Sequence, residues 1–259
     1  MGALMLAEGG TFQPPGADSF FLPPIAGGVT KPMVLVVASA IIVGAYFLIA
    51  TRNLKLVPGK GQFVAEFAYE FSRNKIAREQ IGAKDFRPFV PLIFALFTFV
   101  LVNNLFGIIP IIQFPTMSKI GFPIALAAVV YLVFHGVGFA RHGFLGYFKH
   151  IMFPPGVPKL IYVLLAPIEF LQKFVAQPAA LAVRVFAAMF AGHLILLVFT
   201  LGGEYLLLEA SVAFKPISVV AFAFAIALTF VEALIQVLQA YIFALLTANF
   251  IGAALAEGH

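Results

Sequence analysis

The sequence predicts an all-α polytopic membrane protein, with about five membrane-inserted helical segments and one amphipathic helix on the membrane surface. Three observations carry that prediction. Hydrophobic residues fill 62% of the 259 positions, and Asp, Glu, Lys and Arg only 10%, against about 25% charged in an ordinary soluble domain. Several apolar runs reach or approach the ~20 residues that cross a bilayer as a helix. Those runs are continuous rather than alternating, which excludes a membrane barrel. Cysteine is absent, so a disulfide framework and a thiolate metal site are excluded too.

The chain is expected to form a single membrane domain over 1–259. The first segment, 1–32, has no basic stretch followed by an apolar core, so no cleavable signal is expected. Its Pro14, Pro15, Gly16, Pro23 and Pro24 predict an extended or irregular lead-in. The first span is expected at 33–50, ended by Arg52. The polar stretch 51–87 holds eight Lys/Arg against four acids. Within it, Phe63, Phe67, Phe71 and Ile76 recur at helical spacing, the pattern of a helix lying in the interface. Two runs, Pro88–Ile112 and Ile120–Ala140, form a hairpin over 88–140. A second basic loop follows, with Arg141, Lys149 and Lys159 and no acid. A long apolar segment then extends over 160–201, punctuated by Pro167 and Pro178 and ended by Gly202 and Gly203. Glu204 and Glu209 mark a small acidic loop. The last run, Ile217–Ala256, has no proline.

Basic loops stay on the cytoplasmic side of a membrane. Alternation from the two basic loops gives an outside N-terminus and a cytoplasmic C-terminus, and every crossing agrees. Forty helical residues measure ~60 Å, about twice the hydrocarbon thickness. Confined to ~30 Å, such a helix needs roughly 60° of tilt, against an ordinary ~20°. The final two segments, over 160–256, are therefore expected to be a long, steeply inclined antiparallel hairpin. A normal span with a cytoplasmic extension would leave charged residues at the membrane exit, and almost none are there.

Ionisable groups inside these segments are Glu169, Lys173, Arg184, His193 and Glu232. A charge at the bilayer centre costs ~2.5–3.5 kcal/mol on insertion scales and faces protein or water. Arg184 shares its helical face with Gln177, Ala180, Ala187, Ala188, Ala191 and Gly192, a lane of mostly small side chains that permits close approach. Two readings are open: a static contact in which Arg184 pairs with Glu232, or a partner surface sliding past one fixed charge. Arginine does not lose its proton in a protein, so it can attract or block but not relay. His193 points to the opposite face and titrates near neutral pH. Thr229, Glu232, Gln236 and Gln239 fall on one stripe of the last helix, suited to a hydrated path or to hydrogen-bonded packing. Glu169 and Lys173 have the i, i+4 order of a helix salt bridge, with a water entry as the alternative for Glu169. His135 reads as a packed histidine, and His142 and His150 lie in a basic loop. No phosphate loop, nucleophile elbow or zinc motif occurs.

The residues "PAALAVRVFAAMFAGHLILL" resemble the arginine helix of the F-type ATP synthase subunit a family. "EALIQVLQAYIFALLTANFI" resembles that family's final helix, and "VNNLFGIIP" its Asn-Leu-x-Gly-x-x-Pro element. Three separated motifs occur in the family's order, over about residues 30–256. By this resemblance Arg184 matches the essential stator arginine and Gln239 the polar residue facing it. His193 and Glu232 occupy two positions where the family uses an acid and a histidine in either order. Glu169 falls near another family carboxylate, with one residue more before Pro178 than in some members. The family's frequent Asn four residues after the arginine is Ala188 here.

The resemblance implies a stator subunit of a rotary proton path in a bacterial plasma membrane, with no cofactor, no metal and no ATP chemistry of its own. It implies a ring of small hairpin subunits (the c-ring) as moving partner, peripheral-stalk b-type subunits, an indirectly joined ATPase head, and no nucleic acid. His193, Glu232 and Gln236 are expected on the outer proton path, Gln239 on the proton path facing Arg184, and Glu169 with Lys173 near the cytoplasmic path. The competing class is a secondary transporter or ion-channel subunit. It would show paired repeats with broken helices, and none is found. A purely structural membrane subunit leaves the small-residue lane without a purpose.

Overall fold

A computed structural model describes residues 12–25, 27–152 and 161–256; Lys159 of the second basic loop lies outside them. The described residues form helices without a strand. These are α1 (Lys31–Thr51), α2 (Lys60–Glu70, running on through a π turn at Phe71–Ala77 to Arg78–Ile81), α3 (Val90–Leu105), α4 (Gly121–His142) and α5 (Phe144–Met152). Two long helices follow, α6 (Tyr162–Leu208) and α7 (Lys215–Leu255). Five helical stretches, α1, α3 with the turn before it, α4, α6 and α7 with the turn before it, are long and apolar enough to cross a membrane. This multi-pass architecture is the predicted one.

The 41 residues of α7 amount to ~60 Å of helix. It lies at the centre, packed against α6, α3, α4 and the end of α2. Its buried residues, among them Ala225, Glu232, Gln236, Ala240, Phe243, Ala244, Thr247, Ala248 and Ile251, recur every three or four positions, the spacing of one helix face. Ala240, Ala244 and Ala248 are fully buried, and their small side chains let neighbouring backbones come close.

Helices α6 and α7 run antiparallel along almost their whole length. Gly203 lies against Ala221 and Phe222, Phe199 against Phe224, and His193 against Glu232. Gln177 and Lys173 share a cavity with Phe250 and Ala254. The expected stop at Gly202 and Gly203 is corrected: the helix continues to Leu208. A Cβ on Gly203 would meet Phe222 at 3.2 Å and Ala221 at 3.3 Å, so this glycine serves the helix crossing. Pro167 lies within α6, and a π turn at Gln172–Ala176 precedes Pro178. Proline removes an amide donor and crowds the carbonyl four residues earlier; a π turn accommodates the disturbed ladder without ending the helix.

The 88–140 pair has both arms, but α3 packs chiefly on α7, and α4 on α6 and α7, rather than on each other. The α2 stripe divides. Phe63 and Phe67 are exposed, stacked at 6.4 Å, whereas Ile76 is fully buried and Phe71 lies on Phe97 and Tyr241. Helix α1 buries only Pro32 and Ser39. Asn103 donates to the Ser39 hydroxyl at 2.7 Å and accepts from Thr116 at 2.6 Å, tying α1, α3 and the following loop together.

Candidate functional site

Arg184 sits near the middle of α6 with an exposed side chain. It has no hydrogen bond or ion pair among the described residues. Of the two readings open for Arg184, the static pair with Glu232 is therefore not formed among the described residues. Ala180, Ala187 and Ala191, its neighbours on the lane, are exposed as well, and Ala188 and Gly192 are half-buried. The antiparallel register sets Arg184 level with Gln239 and Ala240 of α7.

The opposite face of α6 carries His193, which is buried, as the nine-residue offset from Arg184 requires. Its Nδ1 lies 3.7 Å from Oε1 of Glu232, itself 4% exposed. Gln236, one turn on, is fully buried and donates from Nε2 to the same Oε1 at 3.2 Å. The Glu232 stem passes over Gly192, where a Cβ would lie 3.7 Å from Cγ. From α3, Asn104 donates to the backbone carbonyl of Gln236 at 3.2 Å. Gly107 leaves room for the Gln236 amide, which a Cβ there would meet at 3.0 Å.

This cluster is under-satisfied. Asn104 Oδ1, His193 Nδ1, Glu232 Oε2, Gln236 Oε1 and Gln239 Oε1 are buried without a hydrogen-bond partner. Buried polar atoms in native proteins are paired with protein or ordered water, so a contiguous group of orphans marks a place for water. From Gln239 to Glu232 it covers seven residues of α7, ~10 Å of helix. It leads from the level of Arg184 toward the turn between α6 and α7. Sequence reasoning passed over Asn104 as an individual; the visible signal was two adjacent amides in an apolar run.

At the other end of α6 and α7, a cavity of about 310 Å³ is lined by Glu169, Lys173, Gln177, Tyr147, Phe250 and Ala254 among others. Glu169 and Lys173 make no salt bridge among the described residues, contrary to their spacing. The π turn begins between them, at Gln172, and shifts the register that i, i+4 pairing needs. Beside this cavity His135 is buried in an aromatic cage, its ring stacked on Phe174 at 4.5 Å and its Nδ1 2.8 Å from the Tyr147 hydroxyl. Burial and the nearby Tyr131 push the Tyr147 phenol up to about 12. The side chains thus form two separate polar regions, one on each side of the Arg184 level, and the six candidate residues do not converge on one point.

Residues 33–252 match the family described as the ATP synthase A chain. The chain is 45% identical over 267 aligned positions to the ATP synthase subunit a of a Nocardioides species, covering 98% of this chain and 96% of that one. It is 46% identical to subunit a of Pseudarthrobacter chlorophenolicus, over 99% and 98% of the two chains. Against subunit a of Streptomyces lividans the identity is 40%, over 97% and 91%.

Proposed function

This chain belongs to the ATP synthase A chain family and is a stator subunit of that enzyme's membrane sector, and from that premise we propose that it works as follows. Two offset water paths, opening on opposite sides of the membrane, meet a rotating ring of carboxylate-bearing hairpins at Arg184. The observation that carries this reading is Arg184 itself: exposed in the middle of a long apolar helix, unpaired among the described residues, and flanked by exposed alanines. A permanent cation in that place costs ~2.5–3.5 kcal/mol. A partner carboxylate reaching it across a small-residue lane removes that cost.

An opposite charge within ~4–6 Å lowers a carboxylate pKa by 1–3 units. A protonated ring carboxyl arriving at Arg184 therefore releases its proton. Having passed, it enters apolar surroundings that favour the neutral form and takes a proton from the other path. Arg184 keeps the two paths apart because it cannot carry a proton itself. The outer path is assigned to His193, Glu232, Gln236 and Gln239, whose orphan atoms invite a file of water. The cytoplasmic path is assigned to the cavity of Glu169, Lys173 and Gln177. The N-terminus lies outside and the C-terminus in the cytoplasm, as the basic loops at 51–87 and 141–159 require. The partners are the ring, b-type stalk subunits and, through them, the ATPase head.

Replacing Arg184 by Ala should abolish coupled ATP synthesis, by ~100-fold or more for loss of a charge acting at the proton-transfer step. The complex should still assemble. The measurement is ATP synthesis by membrane vesicles, with subunit content checked on the same preparation; normal synthesis by the variant refutes the electrostatic role.

A further inference from the structure

We propose that the lead-in lying along the outer half of α6 and against the loop between α3 and α4 is the wall of the outer water path, with Phe20 the positioning residue that holds the His193 ring against Glu232. The inference rests on the outer-path reading above. Phe20 is 2% exposed although it belongs to no long helix. Its ring centroid lies 4.6 Å from that of Phe190, 6.3 Å from Phe114 and 5.8 Å from His193, edge-on to the imidazole.

The segment is held at several points. A short 3-10 turn, Ala17–Phe20, is closed by the Ser19 amide on the Gly16 carbonyl at 3.1 Å, and the Gly16 amide donates to the Ser19 hydroxyl at 3.2 Å. Phe21 carries the Lys119 ammonium 3.5 Å from its ring centroid, a cation–π contact. Phe12 lies on Tyr205 at 5.4 Å and over Gly202. Lys31 donates to the Ile112 carbonyl at 2.6 Å. The lead-in therefore spans from the outer end of α6 to His193, twelve residues or ~18 Å of helix deeper.

Two consequences follow from the chemistry of a phenyl ring. It offers His193 no hydrogen bond, so both ring nitrogens stay free for Glu232 and for water. It also fills the space beside the imidazole, so the ring cannot swing away from Oε1 of Glu232, and water reaches the pair only from the side that the lead-in leaves open. Proton transfer is steep in distance; misplacement by about 1 Å costs up to ~100-fold.

The chain has no cysteine, so a single Ser19→Cys reports on the seating of the lead-in. In the assembled complex, a membrane-impermeant maleimide added from outside should label this cysteine at least about tenfold faster when Phe20→Ala is also present. Phe20→Ala alone should lower coupled ATP synthesis about tenfold, and Phe20→Leu, which keeps the bulk, should restore it to within about twofold of normal. Equal labelling in both backgrounds, or normal synthesis by Phe20→Ala, overturns the proposal. His193→Ala is run alongside. If it is impaired while Phe20→Ala is normal, the positioning role falls and the outer path stands; if neither is impaired, both fall. Should Phe20→Ala fail to assemble, Phe20→Val replaces it under the same criteria, because it leaves half the ring volume and the same exposure difference at Ser19→Cys.

Discussion

The pairing of His193 with Glu232 is a property of two side chains brought from different helices to within 3.7 Å. Removing either takes one of the two proton-carrying groups out of this buried site. Each alanine replacement should lower proton transport about 100-fold, the scale of a lost proton-transfer group. Exchanging the two, His193→Glu with Glu232→His, keeps one acid and one imidazole in the same space and should recover at least about tenfold of that loss. Passive proton uptake by vesicles stripped of the ATPase head measures it, and a double exchange no better than the singles argues against one shared site. The sequence made these two residues legible because ionisable groups stand out in apolar helices. It misled at Glu169 and Lys173, whose spacing suits a salt bridge only in an undisturbed α-helix; the π turn at Gln172–Ala176 leaves no mark in residue type. Phe20 was invisible for a different reason: one phenylalanine among 31 carries no signal until its contacts are seen.

At the scale of elements, lengths and pairings were legible because hydrophobic run length is itself the physical quantity that decides a membrane helix. The antiparallel α6–α7 pair and its ~60 Å reach followed from two proline-poor runs joined by a short polar loop. Which helix occupies the centre did not follow, because α1, α3 and α7 have similar apolar content, and burial distinguishes them only through small residues on one face. Ala240, Ala244 and Ala248 supply that face on α7 and are fully buried. Ala244→Leu should therefore push α7 from its neighbours, with an overpacking cost of about 1–3 kcal/mol. Thermal unfolding of the assembled complex, followed by release of this subunit, should occur at lower temperature in the variant. An unchanged release temperature would mean that α7 does not pack as closely as its alanines imply.

At the scale of the whole molecule, the chain is visibly incomplete. Its exposed apolar side chains meet lipid without penalty, but Arg184 does not, and the alanines around it leave a smooth track rather than a socket. A helix face built for packing within the same chain would be covered, as the Ala240–Ala248 face is; this one is open at Ala180, Ala187 and Ala191. Small residues that are exposed in the chain contribute nothing to its own core, so a bulky replacement there is tolerated by the fold and felt only by the partner. Ala187→Trp should leave membrane insertion and the amount of this subunit unchanged. It should still reduce the ring subunits that co-purify with it in mild detergent, or cut coupled ATP synthesis at least about tenfold where the ring remains bound, since on the proposed mechanism the indole occupies the space through which ring carboxylates approach Arg184. Leu132→Trp, at a side chain 70% exposed on α4, is the matched control and should behave normally. If Ala187→Trp retains both the ring and full ATP synthesis, the lane faces lipid, and the ring meets this chain elsewhere.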